Sequence, residues 1–348
     1  MSAEALSATL AMRPTPLALD TAQRILRQAF GIIGDLRALH SEREENFLVD
    51  TGNRRYVLKF ANPAEDRDIT QFQTDVMLHI AANAPDLPIP RIVNSTSGRD
   101  FTEFNDPDGN SRIVRLFTYL PGTMAADVKI TPALRSRMGG MLALIDKALG
   151  SFSGREPPHD LSWDIERAGR LRPLLGNIED VSNCRLVERA LDTFDTRIAP
   201  NFPRLRRQII HNDLNTFNVL VDAQAPDSIV GVLDFGDTMR APLVHDIVTA
   251  ASYHVGAADY ALQPVAEMLS GYQKMLPLER LEIELLSDLI ATRLAMTVLI
   301  TEWRAKQFPE NRAYILKNHP AAVAGLTQLA RISRDESVDY FSGITSER

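Results

Sequence analysis

Apolar and polar residues follow two different periods, which divide the chain into a strand-rich first third and a helix-rich remainder. Residues 20–30 have helical spacing, with Asp20 able to cap the segment and Gly31 able to end it. A second helix is expected over 64–82. A glycine turn over 51–53 predicts a hairpin and hence an antiparallel sheet. The expected strands are 35–40, 46–50, 55–60, 91–93, 100–104 and 112–119.

The remainder of the chain is dominated by helical spacing. Thr131 and Pro132 form a cap and first-turn pair for a helix over 132–149. Residues 335–348 have the composition of a polar tail. The sequence therefore predicts an α+β protein with a sheet-based N-terminal lobe over 1–120 and a large, mainly helical C-terminal lobe over 121–348. The further helices expected in this lobe are 185–198, 244–254, 263–275, 278–304 and 320–334.

Length and composition fit a globular enzyme with more than one core. The chain has 348 residues, of which 45% are hydrophobic and 24% are charged, and one hydrophobic core rarely serves so many residues. The net charge of −7 and the lack of a basic run argue against a nucleic-acid surface. An acidic chain is compatible instead with a small cationic substrate.

Cysteine usage and the apolar segments indicate a reducing compartment. Cys184 is the only cysteine, which excludes a disulfide within the chain and a cysteine metal cluster. The N-terminal segment lacks a basic region, and Arg13 and Pro14 interrupt its apolar stretch, unlike a signal peptide. The apolar segment 289–300 contains Arg293 and is too short to span a bilayer. We therefore expect a cytoplasmic protein with no membrane partner.

Two short motifs carry the candidate chemistry. His211, Asp213 and Asn218 lie in one loop between apolar segments, and Asp234 begins an Asp-Phe-Gly sequence sixteen residues later. Transfer of a γ-phosphoryl group needs a carboxylate beside the attacking hydroxyl and oxygen ligands for Mg²⁺. Asp213 fits the first role, and Asn218 and Asp234 fit the second, because Mg²⁺ prefers carboxylate and amide oxygens. A chance occurrence of the first motif is the alternative, and the second motif argues against it.

Lys59 is the candidate ligand for nucleotide phosphates. It lies in the alternating segment 55–60, and a lysine that points from a strand into a cleft binds α- and β-phosphates as a point charge. An exposed strand lysine without such a role is the alternative. The preceding loop, which contains Ser41 and Arg43, lies where a phosphate-covering loop is expected, although it has no glycine.

The end of the last predicted strand of the sheet is a candidate binding surface for the nucleotide base. Residues 112–119 run into a Leu-Pro-Gly sequence, which indicates a hinge with free backbone groups. The C=O of Thr118 and the N–H of Leu120 would contact an adenine or guanine edge, with Phe117 behind the base. A plain turn is the alternative. Backbone contacts leave the donor open between ATP and GTP.

These motifs resemble, in their order along the chain, the aminoglycoside phosphotransferase and choline kinase superfamily, a branch of the protein-kinase-like fold. The resemblance spans about residues 20–330. Within the superfamily the chain is most similar to the hydroxylysine kinase subfamily. That closer similarity depends on Ser41-Glu42-Arg43 with Asn46-Phe47, the Asp-Phe-Gly-Asp-Thr sequence at 234–238, Arg293-Leu294, Glu302-Trp303-Arg304, Pro309-Glu310-Asn311 and Tyr314.

The resemblance implies a two-lobed kinase-like fold and a role for each loop residue. Asp213 would position the acceptor hydroxyl and take its proton, while Asn218 and Asp234 would hold Mg²⁺. A loose phosphoryl transition state gains mostly from alignment and charge neutralisation, which limits the importance of Asp213 as a base. Asp246 resembles the family's buried aspartate that braces the catalytic loop. His211 is expected to bond the Asp-Phe-Gly backbone and not to act in catalysis.

The chain departs from the kinase-like pattern in the second predicted helix. A glutamate of this helix usually pairs with the strand lysine, but the position in register is Gln73, with Gln71, Asp68 and Asp75 nearby. Either Gln73 bonds Lys59 as a neutral partner, or a carboxylate from another turn reaches it.

The implied partners are a nucleoside triphosphate and a small hydroxylated amine or amino acid such as 5-hydroxylysine. Homoserine, choline or an aminoglycoside is the alternative acceptor, and a nucleotide-binding pseudokinase is the alternative class. Asp237 is the candidate for contact with an ammonium, and Arg293 or Arg304 for contact with a carboxylate. Trp303 would form a wall of the pocket or stack on a cation. A surface ion pair is the alternative for each arginine, and a supporting role behind the metal ligands is the alternative for Asp237. The oligomeric state is left open.

Overall fold

The computed structural model describes residues 17–39, 41, 44–106, 109–157 and 161–346. The chain divides into two compact units, of which the first comprises Met1–Pro121 and Ser153–His159 and the second comprises Gly122–Phe152 and Asp160–Arg348. The first unit is built on a sheet and the second is mainly helical, so the expected α+β class is confirmed.

An antiparallel sheet forms the frame of the first unit. Its strands, among the described residues, are β1 (Asp35–Leu39), β2 (Glu45–Asp50), β3 (Arg55–Phe60), β4 (Thr102–Asn105) and β5 (Ser111–Thr118). They lie in the order β1-β2-β3-β5-β4 with antiparallel neighbours. The predicted hairpin joins β2 to β3 and pairs Asn46 with Lys59. Lys59 therefore lies on the central strand, whose two neighbours fix its position.

The helices of the first unit begin at other residues than expected. α1 spans Leu19–Phe30, and Gly31 ends it at φ 67, as predicted. The prediction that Asp20 caps α1 is wrong, because Asp20 lies within the first turn. α2 spans Arg67–Asn83, a later start than expected, because the Asp66 side chain accepts a first-turn amide and fixes the helix start there.

The core of the first unit lies between α1 and one face of the sheet. Because side chains alternate along a strand, burial of Leu58 and Phe60 on this face places Lys59 on the other. The strand expected over 91–93 is reduced to a single bridge between Ile92 and Phe117. The buried core residues are Ala22, Ile25, Leu26, Phe30, Phe47, Val49, Leu58, Phe60, Val114 and Leu116.

Helices make up most of the second unit. The Thr131 side chain accepts the Leu134 amide and Pro132 lies in the first turn of the following helix, as predicted. The helices are α3 (Pro132–Leu149), α4 (Val181–Thr193), α5 (Val244–Val255), α6 (Leu262–Met275), α7 (Arg280–Gln307), α8 (Arg312–Ile315), α9 (His319–Leu329) and α10 (Arg334–Ser346). The 3₁₀ segments of the described residues are Ala125–Asp127, Ile165–Asn177, Ala199–Arg204, Pro309–Asn311 and Leu316–Asn318.

Short strands interrupt these helices and carry the predicted motifs. They are β6 (Thr123–Met124), β7 (Arg207–Ile210), β8 (Val219–Val221), β9 (Ile229–Val232) and β10 (Met239–Pro242). Within the described part of the chain, β6, β8 and β9 form one small sheet in that order, and β10 pairs with β7 in another. The loops after β7 and β9 therefore leave from ordered strands.

Helices α3 and α6 approach each other closely because glycines lie at their contact. A Cβ atom at Gly139 would lie 1.9 Å from the Met268 carbonyl oxygen, and one at Gly271 would lie 1.7 Å from that of Ser136. This approach lets the Tyr272 hydroxyl donate to the Asp146 carboxyl oxygen Oδ2 at 2.6 Å.

Two predictions for the second unit are wrong. The helix expected over 185–198 begins at Val181, and its last turn, Phe194–Ile198, is a π-helix. The polar tail expected from residue 335 is helix α10, which packs on α6 and α7 with Phe341 fully buried. A few apolar residues at helical spacing suffice to dock a polar helix. No helix within the described ranges is long and apolar enough to cross a bilayer.

Candidate active site

The catalytic loop, residues 211–218, connects β7 to β8, and its backbone is fixed by Asp246 at the start of α5. The Asp246 carboxylate accepts the His211 amide through Oδ2 and the Asn212 amide through Oδ1, both at 2.7 Å. Asn212 has a φ of 65, in the left-handed region, and costs backbone energy there. Asp246 is fully buried, so the expected brace on the catalytic loop is confirmed.

Asp246 is itself bonded by a second buried carboxyl group, that of Asp146 on α3. Burial, and then the charge of Asp246, raises the pKa of Asp146 well above its usual range. Burial also raises the pKa of Asp246, against the charge of His211 and the two backbone N–H groups, which favour its ionised form. The pKa of Asp146 is thus shifted toward the protonated carboxyl, the form that can donate to Asp246.

His211 has a supporting position. Its Nε2 lies 3.1 Å from the Leu233 carbonyl oxygen, one residue before the Asp-Phe-Gly sequence, and its Nδ1 accepts the Asp213 amide at 3.2 Å. The Phe235 ring packs edge-on against the imidazole at 4.7 Å between centroids. The two ring nitrogens of His211 thus hold the two motifs together.

The Asp213 carboxylate is held by three side chains. Its Oδ1 accepts the Asn215 amide at 2.9 Å and the Tyr253 hydroxyl at 3.2 Å. Its Oδ2 accepts the Asn218 amide nitrogen at 2.8 Å. This nitrogen also donates to the Asp213 carbonyl oxygen at 2.9 Å. The Asn218 nitrogen is committed to Asp213, so the amide oxygen is the group that can take a cation.

Burial and neighbouring charges shift the pKa of Asp213. Burial, followed by the carboxylates of Asp237 and Asp234, raises the pKa of Asp213 to about 7. The bond from Asn215 and the charge of Arg293 act in the opposite direction. A carboxylate with a pKa near the working pH can both hold and release a proton.

The donor chemistry around Asp213 fits a hard divalent cation. Asn218 is almost buried, while Asp234 is exposed, at a φ of 62, with its Oδ1 accepting the Gly236 amide at 3.1 Å. Among the described residues, no group of three or more His, Cys, Asp or Glu side chains could hold a metal alone. Mg²⁺ is usually bound through one or two carboxylates plus substrate phosphates. An amide oxygen, one carboxylate and a polyphosphate meet that requirement.

Arg293, on α7, lies near the catalytic carboxylate and contacts a tryptophan. It is only 4% exposed, and its charge lowers the pKa of Asp213. Its Nη1 donates to the Trp163 carbonyl oxygen at 3.3 Å, and its guanidinium lies 4.6 Å from the centroid of the Trp163 ring. Trp303, the tryptophan that the sequence suggested for a pocket wall, is 4% exposed. The aromatic surface beside Arg293 belongs to Trp163, which the sequence reasoning missed.

Tyr253 is a second residue that the sequence reasoning missed. It lies seven residues after Asp246 on α5, a spacing that places both on one face of the helix. Burial, and then the charge of Asp213, raises the pKa of Tyr253, which keeps the hydroxyl protonated as a donor. One helix face thus supports the loop backbone through Asp246 and the catalytic carboxylate through Tyr253.

In the first unit, Lys59 belongs to a network of charged and amide side chains that we call the Lys59 cluster: Glu44, Lys59, Glu65, Gln73 and Arg115. The Lys59 Nζ lies 2.5 Å from Glu44 Oε2, and Glu44 Oε1 lies 3.2 Å from Arg115 Nη2. Gln73 accepts from Arg115 at 3.3 Å and donates to Glu65 at 3.4 Å. A carboxylate from the loop before β2, that of Glu44, therefore pairs with Lys59.

The other sequence candidates in the first unit lie around the same sheet. Ser41 Oγ accepts the Glu44 amide at 3.4 Å, while Arg43 lies outside the described residues. Phe117 is buried on β5, with the Lys59 Nζ 5.9 Å from its ring centroid. Thr118 ends this strand, donating its amide to the Arg91 carbonyl at 2.8 Å, and Leu120 is half-buried beyond it. Contacts of these residues with a nucleotide stay predictions.

The fold and the two motif loops define a class. A carboxylate with a pKa near 7, beside an amide and a carboxylate suited to Mg²⁺, is the equipment for moving a phosphoryl group to an alcohol. The protein is a phosphotransferase with an alcohol acceptor.

The model of the phosphotransferase enzyme family, abbreviated APH, matches residues 35–280, and the chain belongs to this family. It is a small-molecule kinase. The chain is similar to the hydroxylysine kinase of Xenopus laevis, with 26% identity over 325 residues that cover 86% of each chain.

Solved structures share the fold. A microcompartment-associated aminopropanol kinase superposes with a TM-score of 0.72 at 20% identity, over 94% of this chain and 99% of that one. The amicoumacin kinase hAmiN, in complex with AMP-PNP, Ca²⁺ and Ami, superposes with a TM-score of 0.69 at 13% identity, over 92% and 97%. The expected kinase-like fold is confirmed.

Proposed function

We propose that this kinase transfers the γ-phosphoryl group of ATP or GTP to the hydroxyl of an amino alcohol or amino acid such as 5-hydroxylysine. The observation that carries the proposal is the Asp213 carboxylate, held by Asn215, Asn218 and Tyr253 with its pKa raised to about 7. Similarity to a hydroxylysine kinase over most of both chains supports the acceptor class.

In this reaction the acceptor oxygen attacks the γ-phosphorus, the bond to the β,γ-bridging oxygen breaks, and the nucleoside diphosphate leaves. Asp213 orients the hydroxyl and takes its proton as the new P–O bond forms. Asn218 and Asp234 would hold Mg²⁺, which neutralises charge on the polyphosphate. Because the transition state is loose, the main contribution of Asp213 is alignment.

The first unit supplies the groups for the rest of the nucleotide. Lys59 binds phosphate oxygens as a point charge, and Glu44 fixes the lysine side chain through their ion pair. The backbone of Thr118 and Leu120 contacts the base, with Phe117 behind it, and Ser41 and Arg43 cover the phosphates. Backbone contacts alone do not select between ATP and GTP.

Charged side chains near Asp213 are suited to an amino acid acceptor. Arg293 offers a guanidinium beside Trp163 for a carboxylate, and Asp237 offers a carboxylate for an ammonium. Both groups lie close enough to Asp213 to shift its pKa, in opposite directions. Trp303 stays a candidate wall for the pocket, although its burial leaves little surface for a ligand. A cytoplasmic setting, where both nucleotides are available, belongs to the proposal.

An acceptor panel tests this function. Purified protein with Mg²⁺ and either ATP or GTP is assayed against 5-hydroxylysine, homoserine, choline, 1-amino-2-propanol and an aminoglycoside. We expect the highest kcat/KM for 5-hydroxylysine or 1-amino-2-propanol. A clear preference for homoserine, choline or the aminoglycoside would reassign the acceptor, and no turnover with any of them would favour a nucleotide-binding pseudokinase.

Asp213→Asn is the matched variant for this assay. It keeps the shape of the side chain but removes the proton acceptor, so kcat should fall by about 10²- to 10⁴-fold. Asn can still accept from Asn215 and Tyr253 at Oδ1 but loses the bond from Asn218 at the other position, so a modest fall in melting temperature is expected. Full turnover by this variant with every acceptor would remove Asp213 from its proposed role.

A further inference from the structure

Phe217 is an aromatic side chain at the surface of the catalytic loop. It is 47% exposed and immediately precedes the candidate metal ligand Asn218. Its backbone position is fixed, because the Phe217 amide donates to Asn215 Oδ1 at 2.8 Å while Asn215 Nδ2 donates to Asp213 at 2.9 Å. An exposed phenylalanine on a rigid loop beside the reacting groups leaves a large apolar surface in contact with solvent unless a ligand covers it.

A lysine from the C-terminal helical region lies against this ring. The Lys317 Nζ is 4.8 Å from the Phe217 ring centroid and 4.3 Å from that of Tyr314, and it donates to the Tyr314 hydroxyl at 3.2 Å. Both distances fall within the range of a cation–π contact. The two rings therefore form the walls of a site that binds one ammonium group.

The ammonium now in this site belongs to a side chain that can leave it. Lys317 is exposed, on the short turn Leu316–Asn318 between α8 and α9. Within the described ranges, rings and a hydroxyl hold its ammonium, and no carboxylate is paired with it. Contacts of this kind at an exposed position are weak, so another cation can displace the lysine.

We propose that Phe217 and Tyr314 form a second ammonium subsite for the acceptor, apart from the one proposed at Asp237, and that Lys317 fills this subsite until an acceptor displaces it. The inference rests on the proposed function, because it requires an acceptor that carries an ammonium. Phe217 lies on the same loop as Asp213, and Asn215 bonds to both residues. The charges of Asp234 and Asp237 both act on Asp213, and this acidic surrounding of the loop favours a cation.

Substitution of each member of the subsite has a different expected effect on the KM for 1-amino-2-propanol. Lys317→Met removes the competing ammonium but keeps the length of the side chain, so KM should fall by about two- to fivefold. Phe217→Ala removes one wall, so KM should rise by about three- to tenfold. Tyr314→Phe keeps the ring but loses the hydroxyl that accepts the bond from Lys317, so the lysine is displaced more easily and KM should fall.

The matched control is Lys274→Met, the same chemical change at an exposed lysine on α6. It should leave KM and kcat unchanged. The subsite variants should change KM with little change in kcat, since they remove binding and not the reacting groups. If Lys317→Met raises KM instead, Lys317 binds the acceptor directly and the proposed displacement is wrong. If Phe217→Ala leaves KM unchanged, the ring pair is not a subsite.

Calorimetric titration of 1-amino-2-propanol and propane-1,2-diol, without nucleotide, separates this inference from the proposed function. Lys317→Met should bind the amine more tightly than the wild type, Phe217→Ala should bind it more weakly, and neither change should affect the uncharged diol. That result without measurable phosphoryl transfer would retain the subsite and reject the proposed function. Normal turnover with the same amine affinity in all variants would reject the subsite and retain the function.

Discussion

Hydrogen bonds to buried groups hold the catalytic loop, whereas ion pairs between side chains hold the Lys59 cluster. The loop amides bond a fully buried carboxylate, and Asp213 is bonded by three uncharged donors. Lys59 is held by Glu44, which also pairs with Arg115, and both members of the Lys59–Glu44 pair remain partly exposed. Directional bonds to buried groups fix geometry and resist salt, while exposed ion pairs adapt and are screened. The loop that carries Asp213, which is proposed to align the acceptor oxygen, thus has more rigid support than the Lys59 cluster.

The largest effect is expected when Asp246, which holds the loop backbone, is replaced. Asp246→Ala leaves two buried amides unpaired, so the free energy of unfolding should fall by about 2–4 kcal/mol, and kcat should fall more than KM rises. Urea unfolding and steady-state kinetics measure the two effects. Asp246→Asn, which keeps one acceptor oxygen, should lose less stability. Unchanged stability in the alanine variant would mean that other contacts hold the loop.

A smaller effect is expected in the Lys59 cluster. Glu44→Gln keeps the shape of the side chain but removes its charge, so Lys59 loses its anchor and the KM for the nucleotide should rise by about two- to fivefold. Salt distinguishes this cluster from the loop, because the difference in nucleotide KM between wild type and variant should shrink as the NaCl concentration is raised. Glu103→Gln, which removes the exposed pair with Arg67, is the control and should change nothing. A lower KM in Glu44→Gln would show that repulsion between Glu44 and the phosphates outweighs the anchoring.

A third effect, of about the same size as the second, concerns pH and helix α5, which supports the loop. Burial, then the charge of Arg135, lowers the pKa of His254 to about 4, so it is neutral in the native state. Below its unfolded pKa of about 6.5 the unfolded chain takes up a proton that the folded chain does not, and stability falls with pH until the folded pKa is reached. Between pH 6.5 and 5.5, protonation of His254 in the unfolded chain should lower the free energy of unfolding by about 1 kcal/mol.

The His254→Leu variant tests this expectation by urea unfolding at the two pH values. The free energy of unfolding of this variant should fall by about 1 kcal/mol less than that of the wild type over this interval. The pKa of His245, lowered by burial to about 3, adds a loss of the same sign, which the variant retains. An equal fall in wild type and variant would mean that the pKa of His254 does not differ between the folded and unfolded states.

The sequence was most informative where chemistry requires residues at short fixed spacing. The strands beside Asp213 and Asp234 and the hairpin that presents Lys59 followed from local patterns, while the brace by Asp246 was implied by the family resemblance. The spacing of Asp246 and Tyr253 on one helix face would also have revealed Tyr253 as a residue facing the loop. Local periodicity determines which face a residue takes, and close neighbours in sequence share it.

Contacts between distant segments could not be predicted in this way. Glu44 reaches Lys59 from a loop without periodicity, and Trp163 meets Arg293 across 130 residues of sequence. The last helix was expected as a polar tail, because Phe341 gives little signal until α6 and α7 provide a surface to cover it. Such contacts depend on tertiary packing, which one sequence does not encode in a readable pattern.

The left-handed backbone at Asn212 and Asp234 has a consequence for engineering this protein. Neither residue is glycine, and each costs of order 1–3 kcal/mol in that conformation. Selection for heat tolerance alone would therefore favour glycine at both positions, since glycine relieves the strain. At Asp234 this change would remove the candidate metal ligand. A directed-evolution campaign therefore needs an activity screen at every round, so that stability is not gained by losing activity.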